Sequence, residues 1–115
     1  MHAVFNILIP CTDDATGFVH TPAKFDEWLL DTVSRFGGAT VRGIALRGLW
    51  FDPMLPPGAR PTEDHSNWYM VAVEPRRVSE LREYIRGTAR SFGQKCIYFE
   101  RSGEVEFVWD PAHRP

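Results

Sequence analysis

The order of hydrophobic patterns along the 115 residues predicts an α+β fold on the ferredoxin-like βαββαβ plan. Three observations carry it. A strand-length apolar run (residues 2–10) precedes a helical stripe (25–36), and two further strand-like runs follow (40–51 and 67–73). A second stripe (78–92) and a last strand (95–100) complete the series. This plan sets both helices on one face of an antiparallel sheet of order 4-1-3-2. A short run at 105–109 adds a C-terminal hairpin strand, after a turn at 101–104. Residues 1–110 read as a single domain and 111–115 as a tail.

The first strand, Ala3-Val4-Phe5-Asn6-Ile7-Leu8-Ile9, is apolar at all but one position, which predicts a central strand covered on both faces. Pro10 removes a ladder donor and marks its exit. Residues 11–20, with Thr12-Asp13-Asp14 and Gly17, form a loop. Thr21-Pro22 starts the first helix, because a threonine hydroxyl caps the first turn and proline needs no partner there. Phe25, Trp28, Leu29, Val33 and Phe36 then share one stripe, and Gly37-Gly38 ends it. Full burial of such a stripe contributes on the order of 8–15 kcal/mol before entropy is subtracted.

Gly43 and Gly48 punctuate the second strand and predict a bulge or a close approach. Residues 52–66 hold four prolines and read as one long loop, the main irregularity of the chain. The second helix buries Val78, Leu81, Ile85, Thr88 or Ala89, and Phe92, and Gly93 closes it. Arg82, Arg86 and Arg90 form a ridge, with Glu80 and Glu83 beside it, and read as a solvated face.

Composition excludes several classes. Hydrophobic residues at 43% and charged residues at 24% are those of a globular chain, not a disordered one. A net charge of −2 argues against a nucleic-acid partner. No basic, apolar leader precedes the first strand and no run is long enough to span a membrane. Two cysteines are too few for a disulfide scaffold, so a reducing cytoplasm is expected.

The topology gathers chemistry at one pole. Cys11, Asp13, Asp14, His20, Trp50, Asp64, His65, Asn67, Gln94 and Cys96 all fall there. Among them Asp13, His20, Trp50, His65, Trp68 from the adjoining strand, and Gln94 are the ligand-binding candidates. His65, Asp64 and Asp13 are the catalytic candidates, since a histidine oriented by a carboxylate is a general base near neutral pH. Adjacent polar loop residues are more often merely solvated, and Trp50 and Trp68 read first as apolar anchors packed against the loop. Cys11 and Cys96 have metal-ligand chemistry but no ligand spacing, so neither a metal nor another cofactor is expected. Both alternations of the third and fourth strands are apolar, which predicts a homodimer through the sheet or a covering segment.

Gly48-Leu49-Trp50-Phe51, the strand from Ser66, and Arg90-Ser91-Phe92-Gly93-Gln94 together resemble a family of small bacterial ferredoxin-like proteins known only as a domain of unknown function. The likeness spans residues 25–100 and implies a fold and a bacterial source, with no activity. The 52–66 loop and the hairpin after Glu100 depart from it. Asp13, just past the first strand, also resembles the acidic residue of the CRISPR-associated Cas2 proteins.

The function expected from these features is a non-enzymatic binding or interaction module, dimeric through its sheet. A small ligand or a protein partner would sit at the Asp13/Trp50/His65/Gln94 pole. The alternative is a small dimeric enzyme of the α+β-barrel kind with a His65/Asp64 general base. A Cas2-like nucleic-acid-associated protein is the third expectation.

Overall fold

A computed structural model describes residues 2–101 and 104–113, so part of the expected 101–104 turn and of the tail lies outside the described residues. Five strands, β1 (Ala3–Pro10), β2 (Ala39–Trp50), β3 (Thr62–Val73), β4 (Cys96–Arg101) and β5 (Glu104–Trp109), form one antiparallel sheet of order β2-β3-β1-β4-β5. Helices α1 (Pro22–Phe36) and α2 (Val78–Ser91) cross between them. This is the expected order with the extra strand on the β4 edge. No helix among the described residues is long and apolar enough to cross a membrane.

Alternation divides β1. Ala3, Phe5, Ile7 and Ile9 are buried beneath the helices, whereas Asn6, Leu8 and Pro10 are half-buried on the opposite, open face. The sequence expectation of cover on both faces therefore needs correcting. An apolar run that lacks polar residues on one face conceals its own period.

Helix α1 begins as expected: the Lys24 amide donates to Thr21 Oγ1 at 3.2 Å. It ends at Gly37, whose left-handed φ of 93° lets its amide reach Val33 O at 2.8 Å. The buried stripe is Phe25, Trp28, Thr32 and Phe36, while Val33 is 37% exposed. Thr32 replaces Val33 because its hydroxyl is satisfied, donating to Trp28 O at 2.7 Å and meeting Tyr84 Oη at 2.9 Å. Trp28 Nε1 donates to Thr88 Oγ1 at 2.8 Å, and its ring packs on Tyr69, so one residue ties both helices to the sheet. In α2 both Thr88 and Ala89 are buried. The arginine ridge is engaged in ion pairs: Arg82 with Glu106 at 3.0 Å, Arg86 with Glu83 at 3.0 Å, Arg90 with Asp110 at 3.7 Å.

The expected loop at 52–66 is shorter in the structure, because β3 starts at Thr62. Thr62, Asp64 and Ser66 stand opposite Trp50, Gly48 and Leu46. A Thr-Glu-Asp-His-Ser run carries no apolar signal, since the β2–β3 ribbon extends past the end of β1, where Pro10 faces Ser66. The bulge anticipated from the glycines is present. The register shifts on both sides of Gly43, and Ala45 adopts a left-handed φ of 52°.

Candidate functional site

The open face of the sheet is a trough. In a flat sheet β2 and β5 would lie about 19 Å apart, four strand spacings. Instead the Trp50 and Phe107 rings approach to 6.3 Å between centroids, 21° from parallel, so the sheet curls until side chains of its two edge strands meet. Lys95 Nζ, 3.3 Å from Asp52 Oδ2, ties the segment after β2 to the start of β4 beside them. Beneath lies a cavity of about 290 Å³, floored by Leu8, Pro10, Cys96 and Tyr98 and walled by Gly48, Trp50 and Asp64. A second lobe of about 330 Å³ continues along the sheet past Asn6, Trp68 and Glu100.

Asp64 is the trough's distinctive carboxyl. Burial pushes its pKa up and the neighbouring Asp14 charge adds to this, while His65 and polar contacts from Trp50 and Ser66 act the other way. Gly48 makes room for it: a Cβ at position 48 would stand 2.9 Å from Asp64 Oδ1. The close approach expected at this glycine is thus to a side chain across the ribbon.

One end of the trough is made by the segment after β1. Asp14 Oδ2 accepts from the Lys95 amide at 2.8 Å, and the Asp14 amide donates to Gly93 O at 2.9 Å. Gln94 is buried and uses Nε2 twice, donating to Thr12 O at 2.6 Å and Phe92 O at 2.8 Å. These contacts lock residues 12–14 against the end of α2. Among the described residues the first cavity is lined by Asp14, Glu63 and Asp64 and by no Lys, Arg or His, while Arg47 lines the second lobe.

The other expected site residues separate. His65 follows Asp64 in β3, so it points to the other face, exposed and opposite Arg47, and does not line the trough. The anticipated His65/Asp64 couple is not assembled. Asp13 serves its own turn: Oδ1 accepts from the Ala15 and Thr16 amides at 2.9 Å each, which draws its pKa down, Thr16 contributing most. His20 is buried among Phe18, Phe25 and Phe92 with Nε2 2.7 Å from Phe92 O, away from the trough. Asn67 clamps the bulge, accepting the Ala45 amide at 3.0 Å. Trp68 belongs to the second lobe, where Nε1 donates to Asn6 Oδ1 at 2.9 Å. Asn6 and Tyr98 in turn donate to the two oxygens of Glu100, at 3.0 and 3.2 Å.

The cysteines also part company. Cys11 packs against the helix-side core, with Sγ 3.6 Å from Asn67 Oδ1, whereas Cys96 lines the trough on the other face. Both are free thiols. Burial drives the Cys96 pKa up to about 12, with Asp14 and Asp52 adding to it, so this sulfur is protonated at neutral pH. Among the described residues no three His, Cys, Asp or Glu side chains are grouped to hold a metal ion.

Tyr98 and Phe107 were not anticipated. Their signal was the pairing of two alternating strands in one hairpin, which makes them register partners whose rings meet edge to face.

No protein-family model matches the chain, and no curated protein matches it. Two solved structures share its fold. One is a phage SAM lyase in complex with S-methyl-5'-thioadenosine, with a TM-score of 0.65 and 10% identity over 94% of this chain and 89% of that one. The other is a phage SAM lyase in the apo state, with a TM-score of 0.54 and 11% identity over 90% of this chain and 83% of that one. At such identity the likeness is one of fold.

Proposed function

We propose that the trough binds an adenine nucleoside bearing a sulfur-linked chain at its 5' position, with the cationic sulfonium form, as in S-adenosylmethionine, favoured over the neutral thioether. The observation that carries this is an aromatic cavity at the Trp50 end of the trough whose charged lining is acidic among the described residues, Arg47 lining only the second lobe. Trp50, Phe107 and Tyr98 offer ring faces to a flat base, and such faces attract a cation. Asp64 and Asp14 supply the opposite charge. The fold shared with a protein bound to S-methyl-5'-thioadenosine supports this ligand class.

Calorimetric titration with S-adenosylmethionine and with S-methyl-5'-thioadenosine tests it. The sulfonium compound binds more tightly, and the gap narrows as salt screens the carboxylates. Absence of binding by both compounds overturns the proposal.

A second reading, cleavage of the sulfonium, is favoured by the raised pKa of Asp64. Its carboxylate would take a proton from the carbon next to the C–S carbon. The C–H pair becomes a double bond, and the C–S pair returns to sulfur as the neutral thioether leaves. This route discharges the cation, so acidic residues that hold the sulfonium favour the ground state and oppose turnover. Binding is therefore the primary reading. Incubation with S-adenosylmethionine and chromatography for S-methyl-5'-thioadenosine separates the two.

Self-association through the sheet belongs to the same proposal, supported by exposed Ile44 and Leu49 along the β2 edge and Phe51 just after it. The free thiols support a reducing cytoplasm. A Cas2-like role would rest on Asp13, whose carboxylate is occupied within its own turn.

A further inference from the structure

The Gln94 side chain has one polar atom left to use. Both hydrogens of Nε2 are spent, one on Thr12 O at 2.6 Å and the other on Phe92 O at 2.8 Å. The amide cannot flip, because Oε1 would then face two carbonyl oxygens. Phe92 O is itself held, since His20 Nε2 lies 2.7 Å from it. The residue is 3% exposed and lines the trough. Among the described residues His20 Nδ1 is the one buried side-chain polar atom without a partner that is closed off from solvent. Gln94 Oε1, which no described residue engages and which is not closed off from solvent, belongs to a side chain that lines the trough.

Building on the nucleoside reading above, we infer that Gln94 is the base-reading residue of the trough, its locked amide oxygen accepting a hydrogen bond from the exocyclic amino group of adenine. Asp14 at the same end adds acceptor oxygens and no donor. This end of the trough thus suits a hydrogen-bond donor on the ring. A purine with a keto oxygen at that position sets acceptor against acceptor, and a buried acceptor that cannot be reoriented discriminates more sharply than a mobile one.

Calorimetric titration of the full chain with S-methyl-5'-thioadenosine and S-methyl-5'-thioinosine tests the inference. Wild type binds the adenine compound roughly tenfold or more tightly. In Gln94→Met the ratio falls to near one, because affinity for the adenine compound drops while that for the inosine compound holds or rises as the opposing acceptor is removed. Equal binding of the two by wild type, a ratio that needs no variant to fold, overturns the inference and leaves the nucleoside reading standing. So does a Gln94→Met protein that keeps the wild-type ratio. Failure of wild type to bind either compound overturns the nucleoside reading and this inference with it.

Discussion

Asp64 is held by the fold at a cost, and the cost has a sign. Burial raises its pKa above that of the unfolded chain, so the folded state binds the proton more tightly. Below the unfolded carboxyl range the group is protonated in both states and contributes nothing. As pH rises through the window between the two values, stability falls, and above the folded value the penalty is complete. Asp64→Asn is therefore as stable as wild type or more so at pH 7, and the advantage disappears toward pH 3; urea unfolding across that range measures it. The same variant binds S-adenosylmethionine more weakly. Gly93 is the second residue with a definite expectation. Its φ of 63° is left-handed, and an added Cβ would overlap the Asp13 carboxylate. Gly93→Ala should cost about 2–3 kcal/mol, combining backbone strain with loss of the Asp13 turn. Adding Asp13→Ala to it should cost less than the two single changes summed, a double-mutant cycle that thermal unfolding can read.

At the scale of elements, the β2–β3 ribbon sets the form of the trough. Its bulge rests on Asn67, which accepts the Ala45 amide through Oδ1 and donates to Tyr69 Oη through Nδ2 at 3.2 Å. Asn67→Ala strands an amide in a left-handed residue and is expected to cost about 1–3 kcal/mol. Hydrogen exchange should accelerate at Ala45 before it does in β1. The strands and helices were legible from periodicity, as Phe5, Ile7 and Ile9 or Leu81 and Ile85 illustrate. The start of β3 was not, because Thr62 to Asp64 pair with β2 alone, beyond the end of β1, and need no apolar face. Asp64 and His65 looked like a couple while their segment read as a loop. Once it is a strand, the two-residue period sends them to opposite faces.

For the whole molecule, the site was legible as far as topology reaches. Trp50, Asp64, Gln94, Cys96 and Asp14 do converge. Phe107 escaped because its meeting with Trp50 depends on how far the sheet curls, a property no single strand carries. The exposed β2 edge and the residue after it, with Ile44 at 70% and Phe51 at 73%, lead to an expectation about assembly. Sedimentation equilibrium should show a concentration-dependent species heavier than the 13.2 kDa chain, and Phe51→Ser with Ile44→Ser should return it to monomer. The Trp50–Phe107 meeting has a further consequence. The edge strands β2 and β5 meet there through two rings, beside one lysine–aspartate contact to the start of β4, with no shared ladder of backbone bonds among the described residues. Such a seam can part and reseal without unzipping any strand. The proposed nucleoside would enter by separating two side chains, and the indole at the lip would then be a native fluorescent gauge of whether the seam is open or shut.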